Sequence, residues 1–392
     1  MADAICSALG WIMPAFQAYD GTNSVQYIFL IAVWCGAILE DERHMDSPVP
    51  AEWPTFRLNQ ARTGTGNAKP VLQVKRVRWQ FQVRGGIRSS PCLFEGLLYV
   101  GSQEGDLMGI DVKSGTARWR LTTKGSVSSS PAVVDSWIVI GSGDHHVYKL
   151  RRESGEIVWK FPTQGEVWAS PVIAEKTVFC GSCDGFFYAV DLESGMQKWR
   201  FNAGSRIHSS ASVAGRTVFF GTDRGELLAL DTGKGTVLWR SKVLGPIVSS
   251  PLVEAPFVLV GSFDCRFYAF DIASGDIRWQ FPTGLQILAS AASFNDKVYV
   301  GSADGFLYAL KSSTGELIWK QRVPWSIAAS PVVVDGLVYL SPYSGPLAAY
   351  DSKTGEEKFK ITAGSSTLCS PVISDGLIYQ VSSHGVVYAL EG

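Results

Sequence analysis

Cys180 and Cys183 form the one C-x-x-C of the chain, within Val178-Phe179-Cys180-Gly181-Ser182-Cys183-Asp184-Gly185. A redox pair of this spacing opens a helix in a βαβ unit, and a zinc site needs a second pair at similar spacing. Neither context is present, because the equivalent residues of the repeat described below form a strand end and a turn. Cys180 therefore reads as a buried substitute for Val, and Cys183 as a turn residue. His145 and His146 are adjacent, so on a strand they point to opposite faces and make a poor metal pair. A third set is Ser90, Ser130, Ser170, Ser210, Ser250, Ser290, Ser330 and Ser370, spaced by forty residues. Eight near-identical serines are not nucleophiles; their hydroxyls are expected to satisfy one another or nearby backbone groups. What remains are residues that break the repeat: Arg84, Arg88, Glu166, Trp168, Arg206, His208, Arg224, Arg266, Trp325 and Tyr343. A funnel containing Arg88, Trp168, Arg206 and His208 suits an anionic or aromatic ligand, or a peptide carboxylate. The alternative is solvated loop residues that drift freely between copies.

The repeat decides what positions these residues. Trp79, Trp119, Trp159, Trp199, Trp239, Trp279 and Trp319 keep a period of forty, and Phe359 takes the next place. Gly115, Gly155, Gly195, Gly235, Gly275, Gly315 and Gly355 keep the same step. Forty residues hold four short strands with tight turns, which is a propeller blade. In the sixth copy the strands are expected at 290–294, 297–301, 306–310 and 316–321, with Ala303-Asp304-Gly305 as the second hairpin turn. Eight copies imply an all-β, eight-bladed propeller of four-stranded antiparallel blades. The last copy stops after three strands, while residues 74–83 (VKRVRWQFQV) carry a spare Trp79 in register. That segment is expected to complete the eighth blade beside 386–390, removing the unpaired sheet edges, so a monomer is expected. Each Trp should lie between neighbouring blades, with the Gly permitting the turn just before it.

Composition agrees. Hydrophobic residues make up 46% and charged residues 18% of the 392, with 40 Gly and 13 Trp, a folded chain rich in strands and turns. Lys and Arg number 35 against 36 Asp and Glu, which excludes a nucleic-acid partner read through phosphates. Seven cysteines, an odd number, are too few for a disulfide framework. Residues 27–39 (YIFLIAVWCGAIL) form an unbroken apolar run. The run is shorter than the roughly twenty residues of a spanning helix and suits a signal-peptide core or an anchor. No Lys or Arg precedes it, and Trp34 before Cys35 is a poor match to a lipoprotein box. Residues 1–46 are read as an export or anchoring segment, 47–73 as a lead-in and 74–392 as the propeller. This places the protein outside the cytoplasm, in the periplasm or at the outer membrane, with membrane association through residues 27–39. A disordered leader is the alternative.

The stretch Ala189-Val190-Asp191-Leu192-Glu193-Ser194-Gly195, ending at Trp199, resembles the tryptophan-docking motif of the pyrroloquinoline quinone (PQQ) repeat superfamily. Similar copies run from Gly109 to Trp119, from Ala229 to Trp239 and from Ala269 to Trp279. Trp53-Pro54-Thr55-Phe56-Arg57, with Asn59, Arg62, Thr63 and Gly64, resembles the lead-in before such propellers in bacteria. The resemblance implies one of two branches. The quinoprotein dehydrogenases hold PQQ and a calcium ion on the axis, but are longer, have inserted loops and carry a vicinal disulfide. This chain has no adjacent cysteines. Its axial positions Arg88, Ser128, Trp168, His208, Val248, Leu288, Ala328 and Leu368 include no carboxylate, although Glu166 lies nearby. No cofactor, no metal and no catalytic residue are therefore expected. The BamB-like outer-membrane assembly factors are compact scaffolds of about this length, which implies a protein partner, with the outer-membrane assembly machinery as the candidate. Ser341-Pro342-Tyr343-Ser344-Gly345-Pro346 replaces the usual turn in the seventh copy. This marks either a docking blade or relaxed packing near the closure, with a wider turn expected. A PQQ-type sensor or oxidoreductase using the axial funnel is the competing reading.

Overall fold

The structure, a computed structural model, describes residues 52–362 and 367–392. The apolar run 27–39 and the rest of 1–46 lie outside them. Every regular element among the described residues is a β-strand, and the strands form eight successive sheets. Blades 1 to 7 cover 92–122, 132–162, 172–202, 212–242, 252–282, 292–322 and 332–361, each with four strands in chain order. Blade 8 takes three strands from 372–391 and its fourth from Arg76–Gln82. The expected closure is thus present: Trp79 sits opposite Ala389 and Phe81 opposite Val387. In blade 6 the second to fourth strands, Lys297–Gly301, Phe306–Lys311 and Leu317–Arg322, lie within one residue of expectation. The first is shorter than expected, over Ala292–Ser293, because the chain turns directly after Phe294 through Asn295 and Asp296, both at positive φ.

Neighbouring blades are joined by one recurring contact. In the outer strand pair of all eight blades, the residue before the Trp (or Phe359) is an extra residue in a β-bulge. The indole reaches the following blade, where Nε1 donates to a backbone carbonyl 33 residues on. Trp79 reaches Val112 at 2.8 Å, Trp159 reaches Leu192 at 3.0 Å and Trp239 reaches Ile272 at 3.0 Å. Trp119, Trp199, Trp279 and Trp319 do the same with Arg152, Thr232, Ser312 and Ser352. The ring lies on the recurrent glycine of that next blade. A Cβ on Gly195 would sit 2.8 Å from the Trp159 ring, and Gly195 has φ of +71°. The glycine thus serves the preceding blade's Trp as well as its own turn, which goes beyond the role expected of it. In blade 7, Phe359 lacks an N–H to donate. The second hairpin there is shorter, with strands Leu337–Leu340 and Leu347–Asp351, as the two prolines require.

A second device recurs on the same blade boundaries. Asp144, Asp184, Asp264 and Asp304, in the second hairpin turns, each accept the hydroxyl of the Tyr four residues on, at 2.6 to 2.8 Å. The same oxygen accepts a backbone N–H from the loop leaving the preceding blade, from Lys124, Gln164, Leu244 and Gly284 respectively. These bonds hold the rim loops in fixed positions.

Trp239, 8% exposed, should cost about 3–5 kcal/mol when replaced by Ala, read as a lowered urea midpoint. A chain beginning at Gly85 lacks the closing strand and should unfold without a cooperative transition. Melting like the full chain would contradict the closure.

Candidate functional site

The axis is walled by the recurrent serines. Ser90 N–H donates to Ser130 Oγ at 3.0 Å, Ser130 to Ser170 at 2.9 Å and Ser170 to Ser210 at 2.8 Å. Ser210, Ser250 and Ser290 continue to the next serine in turn, and Ser370 N–H returns to Ser90 Oγ at 3.0 Å. The hydroxyls accept from backbone, as expected, and each keeps its proton to donate. They enclose a narrow well of about 180 Å³ whose lining includes Phe56, Arg88, His208, Val248, Leu288, Ala328 and Leu368.

Residues 53–66 close one end. They circle the axis and pair with successive inner strands: Trp53 with Leu93, then the carbonyls of Pro54, Gln60, Ala61, Thr63 and Gly64 with the N–H groups of Val133, Val213, Val253, Ser293 and Val333. Thr65–Gly66 runs parallel to Val332–Val334. At the centre sit Arg57 and Arg62, 3% and 0% exposed. Arg62 donates to the carbonyls of Ala211 (3.0 Å), Ser170 and Pro171 (both 3.2 Å) and Phe56 and to the Thr55 hydroxyl (3.2 Å), and Arg57 donates to the carbonyls of Pro331 and Ala291. Among the described residues neither pairs with a carboxylate, and burial lowers both from the ordinary guanidinium value to about 9. Carbonyl dipoles and the Thr55 hydroxyl hold these charges. Sequence reasoning noted both arginines in the lead-in but missed this role, since no repeat frames them.

The open end is built from two interleaved sets. In blades 1 to 7 the residue third in the second hairpin turn donates its N–H to a loop carbonyl: Gln103 to Gly86, Gly143 to Ser126, Cys183 to Glu166, Asp223 to Arg206, Phe263 to Pro246, Ala303 to Gln286 and Tyr343 to Ser326. Turn and loop residues thereby alternate around the mouth. Both sets change character together between blades 4 and 5. Arg88, Ser128, Trp168 and His208 give way to Val248, Leu288, Ala328 and Leu368, while Cys183 and Asp223 give way to Phe263, Ala303 and Tyr343. Leu244, Phe263, Leu285, Trp325, Tyr343 and Leu368 are exposed there, Leu244 by 94%. Of these only Trp325 and Tyr343 were singled out from sequence.

Of the residues singled out, Arg88 and His208 line the well, and Trp168 lies on the His208 ring, centroids 5.1 Å apart. Glu166 and Arg206 contribute their carbonyls to the rim, with Arg206 exposed. Arg224 is exposed in the turn beside Asp223. Arg266 is engaged elsewhere, donating to Gln280 on the outer strand of its own blade at 3.0 Å. Arg84 bonds Asp106 at 3.5 Å. His208 is the most strongly held. Its Nδ1 is 2.8 Å from Asp223 Oδ1 and its Nε2 is 3.5 Å from Cys183 Sγ. The Asp223 and Cys183 bonds outweigh burial and raise the imidazole from 6.5 to about 9. Positive charge thus faces the well from its mouth and lies buried beyond its floor. Two larger hollows, of about 730 and 550 Å³, lie on the opposite face against the lead-in. The charged side chains of the first include the pair Lys358 and Asp351, 3.9 Å apart.

The fold and its docking tryptophans define an eight-bladed propeller of the PQQ-repeat class. The profile of the family described as "Outer membrane protein assembly factor BamB" matches residues 103–212 and 189–392, and the chain belongs to that family. No curated protein matches the sequence. Among solved structures, BamB from Moraxella catarrhalis is similar at 19% identity, with a TM-score of 0.71 over 81% of this chain and 97% of that one. Quinohemoprotein alcohol dehydrogenase from Comamonas testosteroni is similar at 14% identity, TM-score 0.75, over 89% and 81%. A europium-containing methanol dehydrogenase is similar at 13%, TM-score 0.72, over 85% and 89%. At such identities these structures share the fold alone.

Because the folded value of His208 exceeds 6.5, its stabilising contribution is complete below pH 6.5 and is lost as pH rises through about 9. The stability advantage of the native chain over Asp223→Asn should shrink across that window, read from urea midpoints at pH 6 and pH 9.5. Arg62→Met strips three buried carbonyls of their donor and should cost about 3 kcal/mol or more, measured in the same way.

Proposed function

We propose that this protein is a non-catalytic protein-binding scaffold of the outer-membrane assembly-factor kind, acting outside the cytoplasm. Family membership supports the class. The observation that carries the reading is the divided mouth, where an exposed apolar arc on blades 5 to 8 lies beside an arginine-bearing half on blades 1 to 4 that also exposes Trp168. Exposed aromatic and aliphatic side chains next to arginines are the composition of a protein-docking surface. The Asp–Tyr and backbone bonds hold the loops in place, so a partner meets a preformed surface. The partner that fits the family is an outer-membrane β-barrel or its assembly machinery.

The quinoprotein neighbours raise a second reading, with PQQ and calcium in the axial well. The well's residues do not fit it. Calcium takes six to eight oxygen ligands, commonly with carboxylates among them, whereas the lining offers serine hydroxyls, aliphatic side chains and two cationic groups, with no carboxylate. Phe56 and the lead-in also close the floor.

The test is native purification of the tagged full chain from membrane extract, with mass spectrometry of what stays bound. The native chain should retain an outer-membrane β-barrel or assembly protein. Trp325→Ala with Tyr343→Ala should reduce that recovery about tenfold or more, and Trp168→Ala with Arg88→Ala reports on the arginine-bearing half. Protein that emerges alone with a calcium-dependent quinone chromophore would overturn the scaffold reading.

A further inference from the structure

Three side chains at the mouth make an arrangement that docking does not require. Cys183 belongs to the second hairpin turn of blade 3, His208 to the loop entering blade 4 and Asp223 to the second hairpin turn of blade 4. Cys183 and Asp223 occupy the same position of the repeat, forty residues apart, with His208 between them. The carboxylate fixes one ring nitrogen at 2.8 Å and presents the other to the thiol at 3.5 Å. This is the thiol–imidazole–carboxylate order of an activated sulfur nucleophile. Trp168 covers the ring, and His208 is 20% exposed by its side chain. Cys183 itself is half-buried and so within reach of a small reagent.

We propose that Cys183, His208 and Asp223 form a thiol–disulfide exchange site that takes small anionic disulfides at the mouth of the axial well. Cys183 Sγ and His208 Nε2 share one proton. The sulfur attacks one atom of the incoming disulfide, a new S–S bond forms and the old one breaks. Cys183 is oxidised to the mixed disulfide, and the departing sulfur is reduced and takes the proton from His208 Nε2. Arg88, which lines the same well, and Arg206, exposed on the His208 loop, favour a disulfide bearing carboxylates. Cys180, the other half of the C-x-x-C, is fully buried, with its thiol raised to about 12 by burial. It is therefore not placed to resolve the adduct, and the modification persists until an external thiol removes it.

Cys265 is the internal comparison. It is half-buried in the corresponding turn of blade 5, and its Sγ meets the Phe263 carbonyl at 3.9 Å instead of an imidazole. The full chain is treated at pH 7 with 5,5′-dithiobis(2-nitrobenzoate), and the modified residues are mapped over time by mass spectrometry. Cys183 should react about tenfold or more faster than Cys265. His208→Gln and Asp223→Asn should each bring it down to the Cys265 rate. Equal rates in the native chain, or an undiminished Cys183 rate in His208→Gln, would overturn the proposal. Buried Cys92, Cys180 and Cys369 report folding: if one variant exposes them, the other variant and the native ratio decide.

Discussion

One indole in every blade but the seventh, where Phe359 stands, holds the ring together. Each tryptophan leaves its outer strand through a bulge, lies on a glycine of the next blade and donates one hydrogen bond to a carbonyl 33 residues downstream. The contact requires three features at once: a ring large enough to bridge two sheets, a donor to satisfy a buried carbonyl, and a residue without Cβ beneath it. Each sheet alone would present exposed edges and a bare face. Stacked through this contact, the blades form a series of apolar clusters that run across sheet boundaries, as where Trp239 packs with residues of blades 4 and 5.

The same regularity separates stability from recognition. Trp, Gly and Ser carry the packing and repeat almost unchanged, and Asp–Tyr pairs add to it in four of the blades. At the mouth each blade offers one loop residue and one turn residue whose backbone bonds are fixed and whose side chains are free to differ. Those positions divide the face into a charged and an apolar half. The lead-in adds a constraint at the other end, where two guanidinium groups held chiefly by carbonyls fill the space the strands leave around the axis.

The fold was legible because its signal is periodic. Forty-residue spacing of Trp79 to Trp319 set blade number, strand order and the pairing of Arg76–Gln82 with the last blade, without any knowledge of side-chain positions. The site was legible only in part. Arg88, Trp168 and His208 stood out as departures from the repeat and do meet at the mouth, whereas Arg266 departs equally and bonds within its own blade. Cys183 was read as a turn residue, which it is, but its contact with His208 joins two blades across 25 residues and follows from blade stacking rather than local pattern. Arg57 and Arg62 lie outside the repeat, and nothing in their spacing shows that six carbonyls from five segments would converge on them. Leu244 and Phe263 look like ordinary loop residues until their side of the ring is seen whole.

The strand Arg76–Gln82 has one further consequence, for the order of events in synthesis. It leaves the ribosome before any blade exists and has no strand to pair with until residues 386–391 follow it, some three hundred residues later. Blades 1 to 7 can form from local hairpins as the chain emerges, whereas the last pairing carries the loop-closure entropy of nearly the whole protein. Until that pairing forms, the nascent ring is an open arc with two bare edges, the state most prone to pair with another chain. Ring closure is thus the pairing of largest sequence separation in the ring, and the one that leaves the finished propeller without an open end.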